Sequence, residues 1–509
     1  MIFINTATKS TGLFKPFFPI SIPYGIGHLM GVLRNENKHF SFVDQQIKSN
    51  IIKEVDKIIN THSKPYIFGI STLTEAYSEA IVISNKLKGL YPDSVIIFGG
   101  IHPSALPKKT LNDCKSCDYV FMGEADGEIA NIYDKIKSGE NLKSVNGIAY
   151  RAENDVAINP PAEIIKDINE LPKFPYDLFT PFNQYQHGHI ISSRGCPHNC
   201  SFCCVKVVGK RRYRYKNTKN TIEELEFLAH ELQQKHISFF DDNFLANKER
   251  IKDLCEAISK SEKLKNVTYS FQARIRDVDE DIFKLMFKSG FKAVFFGIES
   301  VSKKLLKQIG KDESVEEIST AIKLAQKIGF KVMANFLFCL PNESKKERTD
   351  CVNFAIKHNI DLVKYNNVVP YPGTQMYEDL NAKNEMNILP KFSNFNSQEV
   401  LVRSIFKKKN FPYIPQNSTA YGIEKEIIFA YYRTYFRLKT LSKIIFKPNW
   451  GDVIFSSGKS FILKLSKFPS FLLLLADISI KFGLVFLSVF KKDGIKLKDI
   501  IKTVPAFFK

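Results

Sequence analysis

The sequence predicts an α/β protein with an N-terminal open-sheet domain, a partial (β/α)6 barrel and a helical C-terminal region. Three observations predict this arrangement: strand-like and helix-like segments alternate near the start of the chain, a second alternation begins near residue 188, and alternation stops after about residue 395. Such alternation is typical of parallel sheets joined by crossover helices. The expected divisions are a first domain over 1–140, a linker over 141–185, the barrel over 186–395 and the C-terminal region over 396–509.

Three short apolar runs, 66–71, 95–100 and 118–123, predict the strands of the first domain. Each run ends in Gly or Ser and leads into a loop. Ligands of open α/β sheets bind beyond the carboxyl ends of such strands. The first domain is therefore predicted to be Rossmann-like, with a ligand at this edge.

The second series contains six strand candidates, which are 189–193, 236–240, 267–271, 292–297, 331–338 and 362–369. One intervening helix is well marked, because Ser314 and Glu317 have capping-box spacing and Gly329 follows the last helical turn. Six β/α units form an incomplete version of the eightfold barrel. Such a barrel is open at its side and can admit a large substrate.

Composition excludes several classes of protein. Of the 509 residues, 44% are apolar and 25% are charged, so the chain is neither disordered, collagenous nor a coiled coil. Nine cysteines do not make a disulfide scaffold, and the N-terminus does not have the pattern of a signal peptide. These features predict a reducing, cytoplasmic location, where clustered cysteines bind metal or carry out chemistry.

The most informative segment has cysteines at 196, 200 and 203, a C-x3-C-x2-C spacing just after the first barrel strand. Thiolates are soft ligands that suit iron–sulfur clusters. Three cysteines can hold three irons of a four-iron cluster and leave the fourth iron open, as a catalytic cluster requires. A zinc site would need Cys204 or His198 as a fourth ligand. A third possibility is three buried cysteines that bind no metal. It is disfavoured because the surrounding Gly, Pro and Asn residues are typical of a loop and not of a core.

This segment resembles the signature of the radical S-adenosylmethionine enzymes, including the aromatic Phe202 before the third cysteine. The resemblance covers about 188–380, because 239–244, 295–300, 336–343 and 369–374 resemble the segments that end later barrel strands. It implies a 4Fe-4S cluster held by Cys196, Cys200 and Cys203, with S-adenosylmethionine chelated by the open iron. One electron, from a donor such as flavodoxin or ferredoxin, then yields a 5′-deoxyadenosyl radical.

The same resemblance implies further contacts to S-adenosylmethionine. Asp241, Asp242 and Asn243 would accept hydrogen bonds from its amino group, although they can instead cap the helix that follows. Glu299, with Ser300 beside it, would contact the ribose, and the alternative is a carboxylate in solvent at a strand end.

Two other positions of the barrel are ambiguous. Arg274 is equally suited to a ligand carboxylate and to a surface salt bridge. Cys339 stands where the family usually has Gly, which predicts a changed backbone approach to the adenine.

The first 140 residues resemble the cobalamin-binding domain of one large subclass of these enzymes, through 23–33, 69–72, 99–103 and 123–128. Small residues at strand ends let the backbone approach a large planar ring or its nucleotide tail. The implied cobalamin contacts are Ser71, Thr72, Gly99, Gly100, His102, Gly123 and Glu124. A loop histidine without a ligand is the alternative for His102.

Two features of this domain depart from simple expectation. Cobalamin domains that ligate cobalt through histidine carry D-x-H-x-x-G, whereas Gln46 and Ser49 stand in the comparable stretch here. We therefore expect no histidine ligand from this motif, and loss of cobalamin is the alternative. Cys114 and Cys117 have redox or zinc spacing, but without a second pair nearby we interpret them as incidental.

Residues 401–509 carry +14 of the net charge of +20, together with 20 aromatic residues. Helices are predicted over 424–446 and 461–490, and uncharged runs of nine residues are too short for the roughly 20 residues of a transmembrane helix. A helical cap on the barrel and a helix at an anionic membrane surface are equally favoured. Nucleic-acid binding is disfavoured because no recognition motif is present.

The favoured function is methylation of an unactivated carbon of an apolar small molecule by a cobalamin-dependent radical enzyme. Subclass members often carry an aromatic helical tail and act on lipids or tetrapyrroles, which suggests presentation of the substrate at a membrane. An oxidative cyclase, resembling the anaerobic magnesium-protoporphyrin ester cyclase, ranks second. A non-catalytic cobalamin and iron–sulfur sensor, and a methylthiolase of transfer RNA, are the remaining alternatives.

We predict that deletion of 461–509 releases the protein from anionic liposomes at low salt. Each lysine near an anionic surface contributes about 1 kcal/mol of attraction, and salt screens it. Cosedimentation with anionic liposomes measures the effect, with neutral liposomes as the control. Undiminished binding of the truncated protein would remove the membrane role from this segment.

Overall fold

Two largely parallel sheets form the framework of the chain. The computed structural model describes residues 1–7, 20–153, 155–181, 185–402 and 409–437, together with residues 479, 480 and 483. The predicted helix over 461–490 therefore lies almost entirely outside the described residues.

Strands and helices follow each other through the described chain. The strands are β1 (Ile2–Asn5), β2 (Ile20–Ser21), β3 (Ser41–Asp44), β4 (Ile67–Ser71), β5 (Val95–Gly99), β6 (Tyr119–Phe121), β7 (Ile148–Arg151), β8 (Val156–Ile158), β9 (Tyr185–Gln186), β10 (His189–Ile190), β11 (Ser193–Arg194), β12 (Arg214–Tyr215), β13 (His236–Phe239), β14 (Thr268–Ala273), β15 (Phe291–Glu299), β16 (Lys331–Phe338) and β17 (Leu362–Asn367). The helices are α1 (Tyr24–Asn35), α2 (Ile51–Ile58), α3 (Tyr77–Leu90), α4 (Ile101–Ala105), α5 (Pro107–Asp113), α6 (Ile129–Lys137), α7 (Val205–Gly209), α8 (Thr218–His230), α9 (Lys248–Lys260), α10 (Glu280–Lys288), α11 (Lys303–Gln308), α12 (Val315–Ile328), α13 (Lys345–Lys357), α14 (Gln375–Ala382), α15 (Glu399–Val402) and α16 (Ala420–Tyr435).

The N-terminal sheet has the order β3-β1-β4-β5-β6-β7-β8. The first five strands are parallel, and β7 and β8 add antiparallel at the edge. The three strands predicted from the apolar runs are β4, β5 and β6. The sheet also continues past residue 140 into the expected linker, where β7 and β8 form a hairpin. The sequence did not predict this hairpin, because it lies outside the alternation of strands and helices.

The second sheet has the order β10-β13-β14-β15-β16-β17, and every neighbouring pair is parallel. The six predicted barrel strands are all present. Helix α12 has the predicted capping box, in which Ser314 and Glu317 exchange side-chain and backbone hydrogen bonds. Gly329 ends this helix with a φ of +115°, as its position predicts.

The two faces of the N-terminal sheet belong to different cores. Phe3 and Ile97 point into an apolar core that continues into the barrel. Phe68 and Phe98 point to the opposite face and form a second core with Phe392, which comes from the chain after β17. The alternation of side chains along each strand therefore ties this domain to the barrel on both faces.

Helix α16 covers the open edge of the barrel sheet. The Tyr435 hydroxyl accepts a hydrogen bond from Val363 N and donates one to Val363 O, both at 2.8 Å. The Tyr431 hydroxyl accepts from Tyr365 N at 3.0 Å. These hydroxyl groups take the place of a neighbouring strand, so the exposed backbone of β17 is satisfied. The predicted helical cap is thus observed for α16, which begins earlier and ends earlier than predicted.

No helix in the described part of the chain is long and apolar enough to cross a membrane.

We predict that Tyr435→Phe lowers the free energy of unfolding by about 1–3 kcal/mol, because it leaves the buried amide and carbonyl of Val363 unpaired. Hydrogen exchange of the peptide that contains β17 should accelerate as well. Tyr421→Phe, at the exposed start of the same helix, is the control and should change stability by less than about 0.5 kcal/mol. Equal effects in urea unfolding would contradict the capping role.

Candidate active site

The loop between β11 and α7 carries Cys196, Cys200 and Cys203. All three side chains are half-buried, and none of them is in a disulfide. The Cys203 amide donates to the Cys200 carbonyl at 3.1 Å, and the Ser201 amide donates to the Ile309 carbonyl at 3.0 Å. These backbone bonds hold the cysteines in a defined turn at the carboxyl ends of the barrel strands.

Two glycines allow the backbone to pack closely around this loop. Gly195 has a φ of +82°, and a Cβ atom there would lie 2.1 Å from the Arg212 carbonyl oxygen. Gly310 has a φ of +74°, and its Cβ would lie 2.9 Å from the Asn199 carbonyl oxygen. Both positions therefore require glycine, for the backbone conformation and for the space.

The thiol chemistry of the loop fits an iron–sulfur cluster. Within the described ranges no three His, Cys, Asp or Glu side chains converge on one metal position. A four-iron cluster does not need such convergence, because each cysteine binds a different iron. The zinc alternative needs four donors around one ion. His198, one candidate for the fourth donor, lies instead beside Asp277, with 3.8 Å between its Nε2 and the carboxylate. Burial raises the pKa of Cys203 to about 12, so metal binding must displace a proton from this thiol.

Asp241 binds the chain that leads into the cysteine loop. Its carboxylate is fully buried and accepts hydrogen bonds from Ser192 N at 2.7 Å, Ser192 Oγ at 2.6 Å and Ser193 Oγ at 2.8 Å. Its oxygens are therefore occupied by the chain just before the cysteines. This geometry differs from the predicted contact to the amino group of S-adenosylmethionine, and it gives Asp241 a positioning role.

Asp242 is exposed beside the loop, whereas Asn243 is buried. Asp242 accepts from the Gly195 amide at 3.0 Å. Asn243 donates to the Asp277 carboxylate at 2.8 Å, and among the described residues its buried Oδ1 has no hydrogen-bond partner. The alternative that this segment caps α9 is wrong, because the side chain of Asn247 is the cap.

Glu299 ends β15 inside the barrel. It is 6% exposed, which excludes the alternative of a solvated strand-end carboxylate. One carboxylate oxygen accepts from Asn335 at 2.8 Å, and the other lies 3.6 Å from the Lys311 ammonium. Burial raises the pKa of Glu299, and the positive charge of Lys311 opposes this shift. Ser300 is fully buried, and its hydroxyl accepts from the Ser302 amide at 3.2 Å, away from any open space of the site.

The two ambiguous barrel positions are resolved by their contacts. Arg274 pairs with the buried Glu313 at 3.4 Å and donates to the Lys311 carbonyl, so it belongs to an internal network beside the cysteines.

Cys339 has a φ of +73°, so it keeps the left-handed backbone that glycine would adopt there. Its amide donates to Glu343 at 2.5 Å, and burial raises the pKa of Glu343 to about 8.

The carboxyl ends of β4, β5 and β6 form the predicted cobalamin edge. The Thr72 amide donates to the Gly99 carbonyl at 2.9 Å, and a Cβ at Gly100 would lie 2.7 Å from the Thr72 carbonyl oxygen. A Cβ at Gly99 or at Gly123 would meet no atom within 4 Å. The edge that also carries Ser71 is therefore open, and it has the small residues that let a flat ligand approach.

His102 does not lie on this open edge. It is fully buried, its ring centroid is 3.9 Å from that of Tyr77, and its Nδ1 is 3.2 Å from Thr74 Oγ1. Burial lowers its pKa to about 3. His102 is therefore a neutral core histidine of helix α4, and it is neither the predicted cobalamin contact nor the loop histidine of the alternative.

Gln46 and the two cysteines of the N-terminal domain have their partners within that domain. Gln46 stands at the position of the missing histidine. Its backbone amide donates a hydrogen bond to the Asp44 carboxylate at 2.8 Å, and its side-chain amide donates one to the Ser21 carbonyl. Cys114 and Cys117 are buried, and their sulfur atoms contact Ser116 and the Tyr119 carbonyl. Both cysteines are therefore part of the core.

A buried ion-pair network joins the N-terminal domain to the cysteine loop. Glu124 pairs with Arg214 at 2.5 Å and with Arg194 at 3.4 Å, and Arg194 also pairs with Asp126 at 3.0 Å. Arg194 and Arg214 lie on the antiparallel strands β11 and β12. Glu124 therefore serves the junction of the domains rather than the predicted cobalamin edge. Sequence reasoning missed this role, because no local pattern links the two arginines to the acidic loop after β6.

A second link between the domains was also missed. The Tyr371 hydroxyl donates to Glu75, which follows β4, and the Ser397 amide lies 3.5 Å from the same carboxylate. Burial raises the pKa of Glu75. Helix α4, which follows β5, also contacts α7, which follows the cysteines. The open glycine edge and the cysteine loop are thus held against one another.

Comparison with known proteins agrees with this geometry. Residues 190–355 match the Radical SAM superfamily, and residues 17–132 match the B12 binding domain. An uncharacterized methyltransferase of Pyrococcus horikoshii is 30% identical over 84% of this chain and 90% of its own length. The anaerobic magnesium-protoporphyrin IX monomethyl ester cyclase of Rubrivivax gelatinosus is 26% identical over 73% of this chain and 68% of its own length.

A solved structure shares the fold. The cobalamin-dependent S-adenosylmethionine radical enzyme OxsB, with aqua-cobalamin and S-adenosylmethionine bound, superposes with a TM-score of 0.67 at 17% identity. The superposition covers 99% of this chain and 74% of that chain.

The chain belongs to the radical S-adenosylmethionine superfamily. Within it, the chain is a member of the cobalamin-dependent radical methyltransferase family, which carries a B12 binding domain before the radical domain. This membership implies a 4Fe-4S cluster, S-adenosylmethionine and cobalamin. The predicted family, enzyme class and cofactors are thereby confirmed.

We predict that Arg214→Met destabilises the protein by about 3–5 kcal/mol, because Glu124 then loses its closest partner in a buried site. Arg276→Met is the matched control, since Arg276 is about half-exposed and pairs with exposed carboxylates. The control should cost at most about 1 kcal/mol. Thermal unfolding measures both variants, and equal shifts would show that the network does not hold the domains.

Proposed function

We propose that the protein methylates an unactivated carbon of an apolar small molecule through a cobalamin-dependent radical reaction. The observation that supports this most directly is the docking of the two domains. The open edge of β4, β5 and β6 faces the loop that carries the three cysteines, and buried ion pairs hold this arrangement. A methyl group carried on one side of such a junction can meet a carbon radical formed on the other side.

In this proposal Cys196, Cys200 and Cys203 hold the cluster, and a one-electron donor such as flavodoxin or ferredoxin reduces it. When bound, the cluster with S-adenosylmethionine supplies a 5′-deoxyadenosyl radical, and cobalamin supplies the methyl group. Phe202 packs against the apolar core beside the third cysteine, where it excludes water from one side of the loop.

The polar residues around the loop would orient S-adenosylmethionine. The unpaired Oδ1 of Asn243 and the carboxylate of Asp242 are the acceptors for its amino group. Glu299, which Asn335 holds in place, would accept from the ribose hydroxyl groups. Asp241 acts on the ligand only through the Ser192–Ser193 backbone that it positions, and Ser300 supports the turn after Glu299.

The N-terminal edge would receive cobalamin. Ser71, Thr72, Gly99, Gly100 and Gly123 surround the open ends of β4, β5 and β6, where an added Cβ at Gly99 or Gly123 meets no neighbour. Cobalamin at this edge would receive no histidine from the D-x-H-x-x-G position, where Gln46 stands, and His102 is buried in the core.

Oxidative cyclisation is the second candidate, because the Rubrivivax gelatinosus cyclase matches 73% of the chain. Methylation ranks first because the more similar relative, at 30% identity, is a methyltransferase. The two reactions differ in a product, since only methylation converts S-adenosylmethionine to S-adenosylhomocysteine.

We predict that the anaerobically reconstituted protein forms 5′-deoxyadenosine together with S-adenosylhomocysteine, as measured by mass spectrometry. Cys200→Ala should abolish reductive cleavage and leave cobalamin bound, because the cluster loses a ligand and the N-terminal edge is unchanged. Cys204→Ala removes a thiol from the same loop and is the matched control. It should keep its iron and its cleavage activity, whereas a zinc site that used Cys204 would lose its metal.

Either of two results would contradict this assignment. Cleavage retained by Cys200→Ala would exclude the cysteine triplet as the cluster site. Formation of 5′-deoxyadenosine without S-adenosylhomocysteine, across a set of apolar candidate substrates, would favour oxidation over methylation.

A further inference from the structure

The inner wall of the barrel sheet carries accessible polar side chains beside the ring of Phe295. Along β15, Val294 and Phe296 are fully buried on the outer face, whereas Phe295 between them is only half-buried. The same alternation occurs on β14, where Phe271 is buried and Gln272 is exposed. Since the outer face is covered by helices, the accessible residues face the interior of the open barrel.

Lys364 is the charged residue of β17 on this inner wall. Its neighbours Val363 and Tyr365 are buried, and their backbones contact α16. Lys364 is exposed and pairs across the sheet with the half-buried Asn335. Its ammonium lies 5.5 Å from the centre of the Phe295 ring, which places it over the barrel interior.

Among the residues that the structure describes, the Lys364 ammonium contacts an aromatic ring and is paired with no carboxylate. The surrounding wall lowers its pKa below the ordinary lysine value, and desolvation is the cause. A cation that is partly desolvated without a counter-ion is costly, and an anionic ligand would recover that cost.

The lysine is separate from the charges around the cysteine loop. The charged groups that act on the Cys200 thiol are Lys311, Arg274, Glu299 and Glu313. The two cations in this group, Arg274 and Lys311, already have the carboxylate partners Glu313 and Glu299. Lys364 lies instead on the strand at the far edge of the sheet from β10, which leads into the cysteine segment.

We propose that Lys364 binds an anionic group, a carboxylate or a phosphate, of the substrate inside the barrel. The proposal rests on the proposed function and refines its substrate class. The substrate would combine an apolar body, which packs against Phe295, with one anionic group on Lys364. Asn366, two residues along β17, lies on the same inner wall, and its side-chain amide, which donates to Asn335 at 2.8 Å, can donate a second hydrogen bond to that anion.

The test uses inorganic phosphate as the anionic probe on the full-length reconstituted protein and needs no turnover. Neutral pyridoxal condenses with an unprotonated lysine amine, with loss of water, and cyanoborohydride reduces the imine to a stable secondary amine. Peptide mass spectrometry quantifies the label at Lys364. Lys346, whose side chain is 84% exposed, serves as the internal reference for the intrinsic reactivity of pyridoxal.

Relative to Lys346, inorganic phosphate at a saturating concentration should slow the labelling of Lys364 about tenfold, because a bound anion keeps the amine protonated through one charge-assisted contact. Chloride at the same ionic strength should give no such protection. Equal protection of both lysines, or no protection of either, would overturn the proposal. Because labelling needs no catalysis, a protein that shows the protection but never cleaves S-adenosylmethionine would contradict the proposed function instead.

A second measurement distinguishes the two possible sources of the anion. S-adenosylhomocysteine carries a carboxylate and adenosine does not, so their dissociation constants are compared in the wild type, Lys364→Gln and Lys364→Arg. The ratio of the two constants should be the same in all three proteins. A loss of about tenfold for S-adenosylhomocysteine alone in Lys364→Gln, restored in Lys364→Arg, would place the cofactor carboxylate on Lys364 and overturn the substrate assignment.

Discussion

The arrangement of the site depends on the buried ion pairs among Glu124, Asp126, Arg194 and Arg214. Two carboxylates from the N-terminal domain neutralise two guanidinium groups on β11 and β12, so no net charge is left in the junction. Buried ion pairs of this kind add little net stability. Replacing one partner, or shifting the register so that the partners separate, is strongly destabilising because it leaves a buried charge unpaired. Since β11 runs directly into Cys196, this network sets the position of the cysteine loop relative to the N-terminal edge.

The loop itself is held by small and polar groups rather than by apolar packing. Asp241 binds the chain just before the cysteines, and Gly195 and Gly310 let neighbouring backbone pass within a distance that no side chain would permit. The thiols can therefore remain half-buried while the backbone that carries them is fixed. A metal cluster bound to such a loop would meet a preorganised set of donors.

The barrel differs from a closed eightfold barrel in what fills it. In a closed barrel, layers of branched apolar side chains fill the interior. Here the inner wall carries Gln272, Asn335 and Lys364, all accessible to some degree. The edge of the incomplete sheet is closed by tyrosine hydroxyl groups of α16, so the barrel keeps an interior space without exposing an unpaired strand.

The sequence by itself determined the six strands of the barrel sheet, three strands of the N-terminal sheet, the capping of α12 and the cysteine spacing, because each depends on residues close together in the chain. Only the tertiary structure decided the roles of Glu124, His102 and Asp241, whose partners are distant in sequence or hidden in the core. Glu75 and Tyr371 are 296 residues apart, and no periodicity can reveal such a contact. The accessible position of Lys364 likewise follows from closure of the sheet around an interior, which no local pattern of residues encodes.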